Sequence, residues 1–385
     1  MSKPLGNYDI HFYEGVDEVQ DDGTLVVNKK NRDASHWPDY LPTWNPNEKY
    51  EPLKFFKHQD PGARADPSLS NLFPPNGENY EVKRITPKLG SEVTGVQLSE
   101  LDDKGKDELS LFVAQRGVVV FRDQDFASKG PEFAVNYGKH FGRLHIHPTS
   151  GSPKDHPELH ITYRRPDPGE FERVFSQSTH AVGWHTDVSY ELQPPGTTFF
   201  SVLEGPDAGG DTIFADVVEA YKRLSPEFQK RLDGLHVLHT SEDQASNSRG
   251  QGGIERRKPV SNIHPLIRVH PATKEKFIYL NRAFSRRIVE LKQQESEFLM
   301  EFLYKHIETA HDLQLRANWK PKSVVVWDNR VVQHSAIIDW DEPVSRHAFR
   351  ITPQAERPVA DLSELNKEQY DVGDVADALK KVLGK

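Results

Sequence analysis

The apolar stretches of this chain are short, and their length limits the folds that the chain can adopt. The longest, Gly117–Phe121 and Val324–Trp327, are far below the roughly 20 residues that a membrane-spanning helix needs. Short runs rich in valine, phenylalanine and threonine predict buried β-strands. We therefore expect strands at Val118–Phe121, Thr197–Leu203, Lys276–Leu280 and Ser323–Trp327.

Helical patterns are fewer and lie between the expected strands. Helices are predicted at Asp107–Gln115, Ser225–Leu232 and Glu295–Thr309. The apolar stripe of the last helix is expected to be Phe298, Leu299, Phe302, Leu303 and Ile307. The polar stretch Glu242–Lys258 is expected to be a long loop, either a functional lid or disordered. Together these patterns predict an all-β core with flanking helices, of the β-sandwich or jelly-roll type.

The composition excludes several classes of function. The chain has 49 basic and 58 acidic residues, a net charge of −9, and no dense basic block, so we expect no binding to nucleic acid or to an anionic membrane. It has no cysteine, which excludes disulfides, zinc–thiolate sites, iron–sulfur clusters and cysteine nucleophiles. The N-terminal stretch Met1–Asp9 lacks the apolar core of a secretory signal. We expect a soluble, cytoplasmic protein.

The first part of the chain differs in composition from the rest. It is rich in proline, asparagine, aspartate and aromatic residues, as at His36–Tyr40, and shows little periodicity. Because disordered segments are poor in aromatic residues, we expect an irregular extension whose rings dock on the main domain. The expected division is an N-terminal extension over 1–79, a main domain over 80–356 and a C-terminal helical tail over 357–385.

The segment Trp184-His185-Thr186-Asp187 carries a chemical signal. In an extended strand, residues i and i+2 point to the same face, so His185 and Asp187 would present an imidazole and a carboxylate side by side. A second histidine would complete a two-histidine, one-carboxylate set, which leaves positions open on an octahedral non-haem Fe(II). His334, just after an expected strand, is the candidate. His-x-Asp also arises by chance in a chain with 18 histidines, so the neighbouring motifs are needed to distinguish a metal site from a chance match.

Groups suited to binding carboxylates accompany these histidines. Arg346 and Arg350 follow His334 in an alternating stretch, and a planar guanidinium pairs bidentately with a carboxylate such as that of 2-oxoglutarate. Thr212, at the end of the Gly209–Thr212 motif, offers a hydroxyl to the same carboxylate. The order of these motifs predicts an iron enzyme that uses 2-oxoglutarate.

The motifs resemble those of the taurine dioxygenase family of Fe(II)/2-oxoglutarate-dependent oxygenases. The resemblance extends from Tyr80 to Pro353 and includes Val118–Asp123, Phe141–Pro148, Trp184–Val188, Gly209–Thr212, Trp327–His334 and Arg346–Arg350. It implies a double-stranded β-helix, a distorted jelly roll, with Fe(II) as the metal and 2-oxoglutarate and O2 as cosubstrates. The N-terminal extension looks like that of the fungal sulfonate dioxygenases.

The resemblance also implies a role for each matching residue. The implied iron ligands are His185, Asp187 and His334. Thr212 and Arg346 are implied to bind the 2-oxoglutarate carboxylate, and His147, Val188 and Arg350 to contact the substrate, with His147 and Arg350 on its sulfonate. From residue chemistry alone, Arg164 and Arg165 are expected to be a solvated surface pair, and Asp328 and Asn329 to hold a turn or a hydrogen bond near the metal.

The implied reaction is hydroxylation of an organosulfonate at the carbon that bears sulfur. It would release sulfite and an aldehyde, with succinate and CO2 from 2-oxoglutarate. The chain departs from the taurine pattern at Ser150, where a tyrosine is found, and at Ala181, where an asparagine is found. Because both positions surround the amine of taurine, we expect a sulfonate that is bulkier or less amine-dependent than taurine.

Two other interpretations stay open at this point. The same iron centre could act on an alkyl sulfate, a carboxylate or an amino acid, since Arg350 would pair with a carboxylate as well. The chain could also be a jelly-roll metal-binding protein without turnover, but such a protein would not need Thr212 and Arg346. The expected partner is a small anionic molecule, and the sequence leaves a homo-oligomer open.

Overall fold

The computed structural model describes residues 18–76, 79–165, 183–250, 253–340 and 342–367. Within these ranges the chain forms eighteen strands and seven α-helices. The strands, in chain order, are β1 Glu18–Val19, β2 Leu25–Val26, β3 Thr43–Trp44, β4 Glu81–Arg84, β5 Ser91–Thr94, β6 Val118–Phe121, β7 Leu159–Arg164, β8 Thr197–Glu204, β9 Thr212–Asp216, β10 His236–Thr240, β11 Ser261–Pro265, β12 Ile267–Val269, β13 Lys276–Ile278, β14 Ser285–Ile288, β15 Gln314–Ala317, β16 Val324–Asp328, β17 Val332–Ala336 and β18 Arg346–Ile351. The helices are α1 Lys29–Ala34, α2 Asp103–Arg116, α3 Pro131–Gly138, α4 Val217–Lys222, α5 Pro226–Leu232, α6 Glu242–Gly250 and α7 Gln293–Glu308.

A seven-stranded sheet in the order β4-β5-β6-β16-β8-β18-β7 forms the centre of the fold. Its neighbouring strands are antiparallel except for β5 and β6. Val118 of β6 packs in a core cluster that includes Phe214 of the smaller sheet β15-β9-β17, whereas Val119 packs in a second cluster with Leu109 of α2. Because both faces of the sheet are buried, its strands show no polar alternation and stand out as apolar runs.

The segment before residue 77 packs aromatic rings against the main sheet. Tyr40 stacks on Phe349 of β18 with ring centroids 4.6 Å apart, and its hydroxyl donates to the carbonyl oxygen of Ala127 at 2.9 Å. Trp44 of β3 is also buried. The domain boundaries themselves stay predictions, and residues 368–385, most of the expected helical tail, lie outside the described residues.

The predicted strands are confirmed as β6, β8, β13 and β16, and the predicted helices as α2, α5 and α7, with shifts at their ends. Four strands that were not predicted, β10, β11, β12 and β14, also lie between α5 and α7 in the chain and form the sheets β11-β10-β14 and, with β13, β12-β13. Among the described residues, no helix has the length and apolar character that crossing a bilayer requires.

The stretch Glu242–Lys258 was expected to be a loop, and this prediction is wrong for its first half. Helix α6 occupies Glu242–Gly250, although it has no apolar stripe. Tertiary hydrogen bonds hold it instead, because Gln244 accepts the hydroxyl of Tyr190 at 2.8 Å and Asp243 pairs with Arg286 at 2.5 Å. A periodicity argument does not detect a helix that is stabilised by polar contacts with distant residues.

The expected apolar stripe of α7 is also wrong in part. Phe298 is 80% exposed and Phe302 is 48% exposed. The buried side is formed by Met300, Leu303, Tyr304 and Ile307, which follow the i, i+3, i+4, i+7 spacing of one helix face. This face packs against the core beside β9 and β14, so the two phenylalanines point away from it.

A buried group of charges surrounds Arg330, in the turn between β16 and β17. Its guanidinium donates to both carboxylate oxygens of Asp328 at 2.8 and 2.6 Å, to Asp60 at 2.5 Å and to Glu356 at 2.9 Å. Burial would raise the pKa of Asp328, but Arg330 outweighs it and holds this pKa well below its usual range. One cation thus joins the N-terminal segment, the turn and the segment after β18.

Replacing Arg330 with methionine should lower the free energy of unfolding by about 3–5 kcal/mol, because three buried carboxylates would lose their shared cation. Urea unfolding of the metal-free protein measures this change. The matched control is Arg231→Met, since Arg231 forms an exposed pair with Glu227 and should contribute at most about 1 kcal/mol. Equal effects of the two substitutions would contradict the prediction.

Candidate metal centre and adjoining cavity

Two histidines meet through backbone pairing. The N–H of His334, in β17, donates to the carbonyl oxygen of His185 at 2.9 Å, and the N–H of His185 donates to that of His334 at 3.0 Å. This isolated antiparallel bridge places the ring centroids 4.2 Å apart. The expected strand through His185 and Asp187 is wrong beyond this bridge, because the chain turns directly after it.

Asp187 is instead oriented by the turn between β16 and β17. Oδ1 of Asn329 accepts the N–H of Asp187 at 3.0 Å, and Nδ2 of Asn329 donates to the carbonyl oxygen of Asp187 at 3.0 Å. Val188 follows with φ +40°, a left-handed conformation that strains a β-branched residue. The hydrogen bonds to Asn329, and not strand pairing, therefore orient the Asp187 carboxylate toward both histidines.

The three side chains fit a metal ion. Nε2 of His185 lies 3.5 Å from Oδ1 of Asp187, and Nε2 of His334 lies 3.7 Å from it. Nδ1 of His185 lies 2.9 Å from the carbonyl oxygen of Gly183, and because a carbonyl only accepts, this nitrogen carries the proton. The lone pair on Nε2 of His185 therefore faces a carboxylate oxygen, and a cation between them would make that contact favourable.

Charges around Asp187 keep it ionised. Nη1 of Arg350 donates to both of its oxygens at 2.7 and 2.8 Å. Burial would raise the pKa of Asp187, but Arg350, His334 and His185 outweigh it and hold this pKa well below its usual range. Burial and the neighbouring His185 lower the pKa of His334 to about 3. An ionised carboxylate and a neutral imidazole are the forms that ligate metals.

A cavity adjoins these three residues and lies between the seven-stranded sheet and the smaller sheet β15-β9-β17. Five of the residues singled out from sequence line it, namely His185, His334, Thr212, Arg346 and Arg350. Its aromatic wall consists of Phe200, Phe214, Trp319 and Trp327. Arg346 and Arg350 both lie in β18, four residues apart, so strand alternation directs them to the same side. The lining thus combines two of the candidate metal ligands, His185 and His334, with three guanidiniums and an apolar wall.

The Gly209–Thr212 motif shapes one end of the cavity. Gly209 and Gly210 have φ of +89° and +67°, and a Cβ on Gly209 would lie 2.8 Å from Oδ1 of Asp339. Two successive left-handed residues therefore require glycine here. The carbonyl oxygen of Gly210 accepts from Nε of Arg346 at 3.1 Å, so the same turn positions both Thr212 and Arg346.

Two residues that the resemblance assigns to the substrate, His147 and Val188, are not among the described residues that line the cavity. Val188 is buried against Tyr190 and Phe284. Nδ1 of His147 accepts the N–H of Ser150 at 3.1 Å, and Ser150 is fully buried. The other departure from the taurine pattern, Ala181, lies outside the described residues.

Strand β7 contributes cavity residues that the sequence analysis missed. His160, Thr162 and Arg164 line the cavity. The expectation that Arg164 and Arg165 are solvated is wrong, since they are 6% and 7% exposed. Arg164 pairs in register with Arg346, and this places it inside the fold. The sequence does show an alternation that predicts this strand, because the polar residues His160, Thr162 and Arg164 alternate with Leu159, Ile161 and Tyr163 and so share one face.

Comparison with known proteins identifies the family. The family model described as "Taurine catabolism dioxygenase TauD, TfdA family" matches residues 81–352. The chain belongs to this family. An α-ketoglutarate-dependent sulfonate dioxygenase of Saccharomyces cerevisiae is 63% identical over 366 residues, which are 95% of this chain and 89% of that protein. An α-ketoglutarate-dependent dioxygenase of Penicillium expansum is 42% identical, over 91% of this chain and 95% of its own length.

Solved structures support the same membership. The crystal structure of a taurine dioxygenase from Burkholderia xenovorans matches with a TM-score of 0.59 and 28% identity, and the match covers 74% of this chain and 93% of that one. The predicted family is therefore confirmed, and this member of the taurine dioxygenase family is an enzyme of the dioxygenase type.

Replacing His334 with alanine should weaken binding of Fe(II) or Mn(II) by at least about tenfold, because losing even a group that supports a ligand costs 10–100-fold. Anaerobic calorimetric titration measures the affinity. The control is His36→Ala, since the side chain of His36 is 86% exposed and lies at the surface. The three-residue site would be refuted if both variants bound the metal as tightly as the wild type.

Proposed function

We propose that the enzyme is an Fe(II)- and 2-oxoglutarate-dependent dioxygenase that hydroxylates an organosulfonate at the carbon bearing sulfur, which releases sulfite and an aldehyde. The observation that carries the proposal is the placement of two arginines of β18 in the cavity beside His185, Asp187 and His334. The sulfonate is suggested by the 63% identity to the yeast sulfonate dioxygenase. The proposed fold of the two facing sheets is the double-stranded β-helix.

His185, Asp187 and His334 would hold the iron through two nitrogens and one oxygen, the donor set of non-haem Fe(II) oxygenases. Iron and 2-oxoglutarate, when bound, supply the chemistry that activates O2 and oxidises the substrate. The protein contributes orientation and exclusion of water. Phe214 and Trp327 pack on the ring of His334 and close that side of the site against solvent.

Each of the two arginines would bind a different anion, Arg346 the cosubstrate and Arg350 the substrate. Arg346 lies at the Thr212 end of the cavity, where a guanidinium and a hydroxyl can bind the distal carboxylate of 2-oxoglutarate. Arg350 lies at the other end, paired with Asp187. A substrate anion that shares Arg350 with this candidate iron ligand would be placed close to the metal. Small anionic molecules are therefore the proposed ligands of both ends.

Replacing Arg346 with alanine should mainly raise the KM for 2-oxoglutarate, whereas Arg350→Ala should mainly raise the KM for the sulfonate. Each change removes a charge-assisted hydrogen bond, so we expect an increase of about tenfold or more. Succinate formation, with one ligand varied at a time, measures both constants. Arg346→Lys and Arg350→Lys serve as matched controls that keep the charge. An exchange of the two effects would show that the roles are assigned wrongly.

A panel of sulfonates, alkyl sulfates, carboxylates and amino acids tests the proposed reaction directly. Sulfite release from at least one sulfonate, with one succinate per sulfite, is the expected result. Sulfate or carboxylate oxidation without any sulfite would favour the alternative substrates, and the absence of succinate with every compound would favour a protein that binds metal without turnover.

The preference for a sulfonate other than taurine stays a prediction. Isethionate should have a higher kcat/KM than taurine. Ser150 and Ala181 replace the tyrosine and asparagine of the taurine pattern, so the ammonium of taurine would lack these partners, and an unpaired ammonium is costly to bury. Sulfite release at matched concentrations measures this. The test uses the wild-type protein and not a Ser150→Tyr variant, because Ser150 is fully buried and a tyrosine there would overpack the core. A clear preference for taurine would contradict the prediction.

A further inference from the structure

Helix α7 exposes two phenylalanines on its outer face. Phe298 is 80% exposed and Phe302 is 48% exposed, although the opposite face of the helix, with Leu303 and Ile307, is buried in the core. Residues four apart are neighbours on a helix surface, so the two rings form one apolar patch. Single exposed apolar residues are common, but a contiguous patch of them marks an interaction site.

The ring of Phe302 is held in place by two neighbouring rings. It packs edge-to-face on Phe228 of α5 with centroids 5.2 Å apart, and it lies parallel to the ring of His306 at 6.1 Å. Nε2 of His306 lies 2.7 Å from the carbonyl oxygen of Ala220 and donates to it, which fixes this imidazole in turn. The three rings of Phe228, Phe302 and His306 form an aromatic corner. Because its side chains are already ordered, covering the corner costs little further rotamer entropy.

The charges along α7 complement those of a second, reversed copy of the same helix. The exposed residues Glu295 and Glu297 lie near its start, whereas Lys305 and His306 lie in its last turn. An antiparallel second copy would bring the acidic start of one helix to the basic end of the other, and the two helix dipoles would also oppose each other favourably. A surface that carries both halves of its own complement fits a two-fold symmetric dimer, in which the same patch of each copy meets.

We propose that α7 is a dimerisation helix, which pairs antiparallel with α7 of a second copy of this chain. With a two-fold axis midway between Phe298 and Phe302, the Phe298 ring of each copy packs against the aromatic corner of the other. The same arrangement brings the acidic start of each helix to the basic end of the second. The described residues that line the cavity include none of these side chains, so the inference goes beyond the proposed function and does not depend on it.

The exposed area of the two rings sets the expected strength of this dimer. A phenylalanine side chain can bury roughly 200 Å², so at their exposures Phe298 and Phe302 together offer roughly 250 Å² per copy. A standard interface buries about 800 Å² on each partner, and the rings would supply about a third of that area. The rest has to come from polar side chains along α7, so we expect a weak dimer with a dissociation constant in the micromolar range.

Replacing Phe298 with aspartate should raise the dissociation constant of the dimer at least about tenfold, because a carboxylate would be buried against the aromatic corner without a partner. Sedimentation equilibrium across the micromolar range measures this constant. Val19→Asp is the matched control, since Val19 is 66% exposed in β1 and the same change there should leave the constant unaltered. Circular dichroism checks that both variants are folded, which their exposed positions lead us to expect.

Cross-linking tests the antiparallel orientation. The chain has no cysteine, so Gln294→Cys and Thr309→Cys each introduce a single thiol at an exposed position. At the helical rise per residue, position 294 of one copy would lie about 5 Å along the axis from position 309 of the other, whereas the two positions 294 would lie about 18 Å apart. A short bismaleimide linker should therefore join the two variants when they are mixed, and should join neither variant to itself.

Three results would overturn the proposal. A wild-type protein that stays monomeric across the micromolar range would show that another partner, or solvent alone, covers the two rings. A dimer that persists unweakened in Phe298→Asp would have to use another surface. Cross-linking of Gln294→Cys with itself as efficiently as with Thr309→Cys would contradict the antiparallel pairing.

Discussion

The buried guanidinium of Arg330 is the contact on which the arrangement of the site depends. It lies in the turn between β16 and β17 and joins Asp328, Asp60 and Glu356, which come from three parts of the chain. Breaking such a buried charge group is strongly unfavourable, so the turn has little freedom. The neighbouring Asn329 bonds to the backbone of Asp187 in both directions, and β17 carries His334. The candidate metal centre thus takes its geometry from a charge group that would touch neither metal nor substrate.

Strand β18 organises the second half of the site, because its alternation directs both arginines into the cavity. Arg346 is fixed by the glycine turn before Thr212, and Arg350 is fixed by Asp187 and His160. Arg346, with Arg164 beside it in strand register, thus lies at one end of the cavity, and Arg350 lies at the other. Arg350 also keeps Asp187 ionised by lowering its pKa, so an anion bound to Arg350, as proposed for the substrate, would act on a candidate metal ligand through the same side chain.

Much of the fold and the site could be predicted from sequence, and the errors share a cause. The strands β6 and β16 were recognisable because burial on both faces requires an unbroken apolar run. Helix α6 was missed because hydrogen bonds from distant residues such as Tyr190 hold it, and local periodicity carries no record of them. Arg164 was expected in solvent because arginine is seldom buried, yet its register with Arg346 places it inside.

Residue types and their order along the chain were enough to predict the available chemistry: two histidines, a carboxylate, a glycine turn and two arginines, an order that indicated the family later confirmed. These depend on residue type and local spacing, which the chain carries directly. Which of these groups face the cavity depends on long-range packing. His160 and His147 are equivalent as residue types, but among the described residues only His160 lines the cavity, because its register with β18 places it beside Arg350. Such distinctions come from pairing between strands far apart in the chain, and that pairing is settled when the whole core packs.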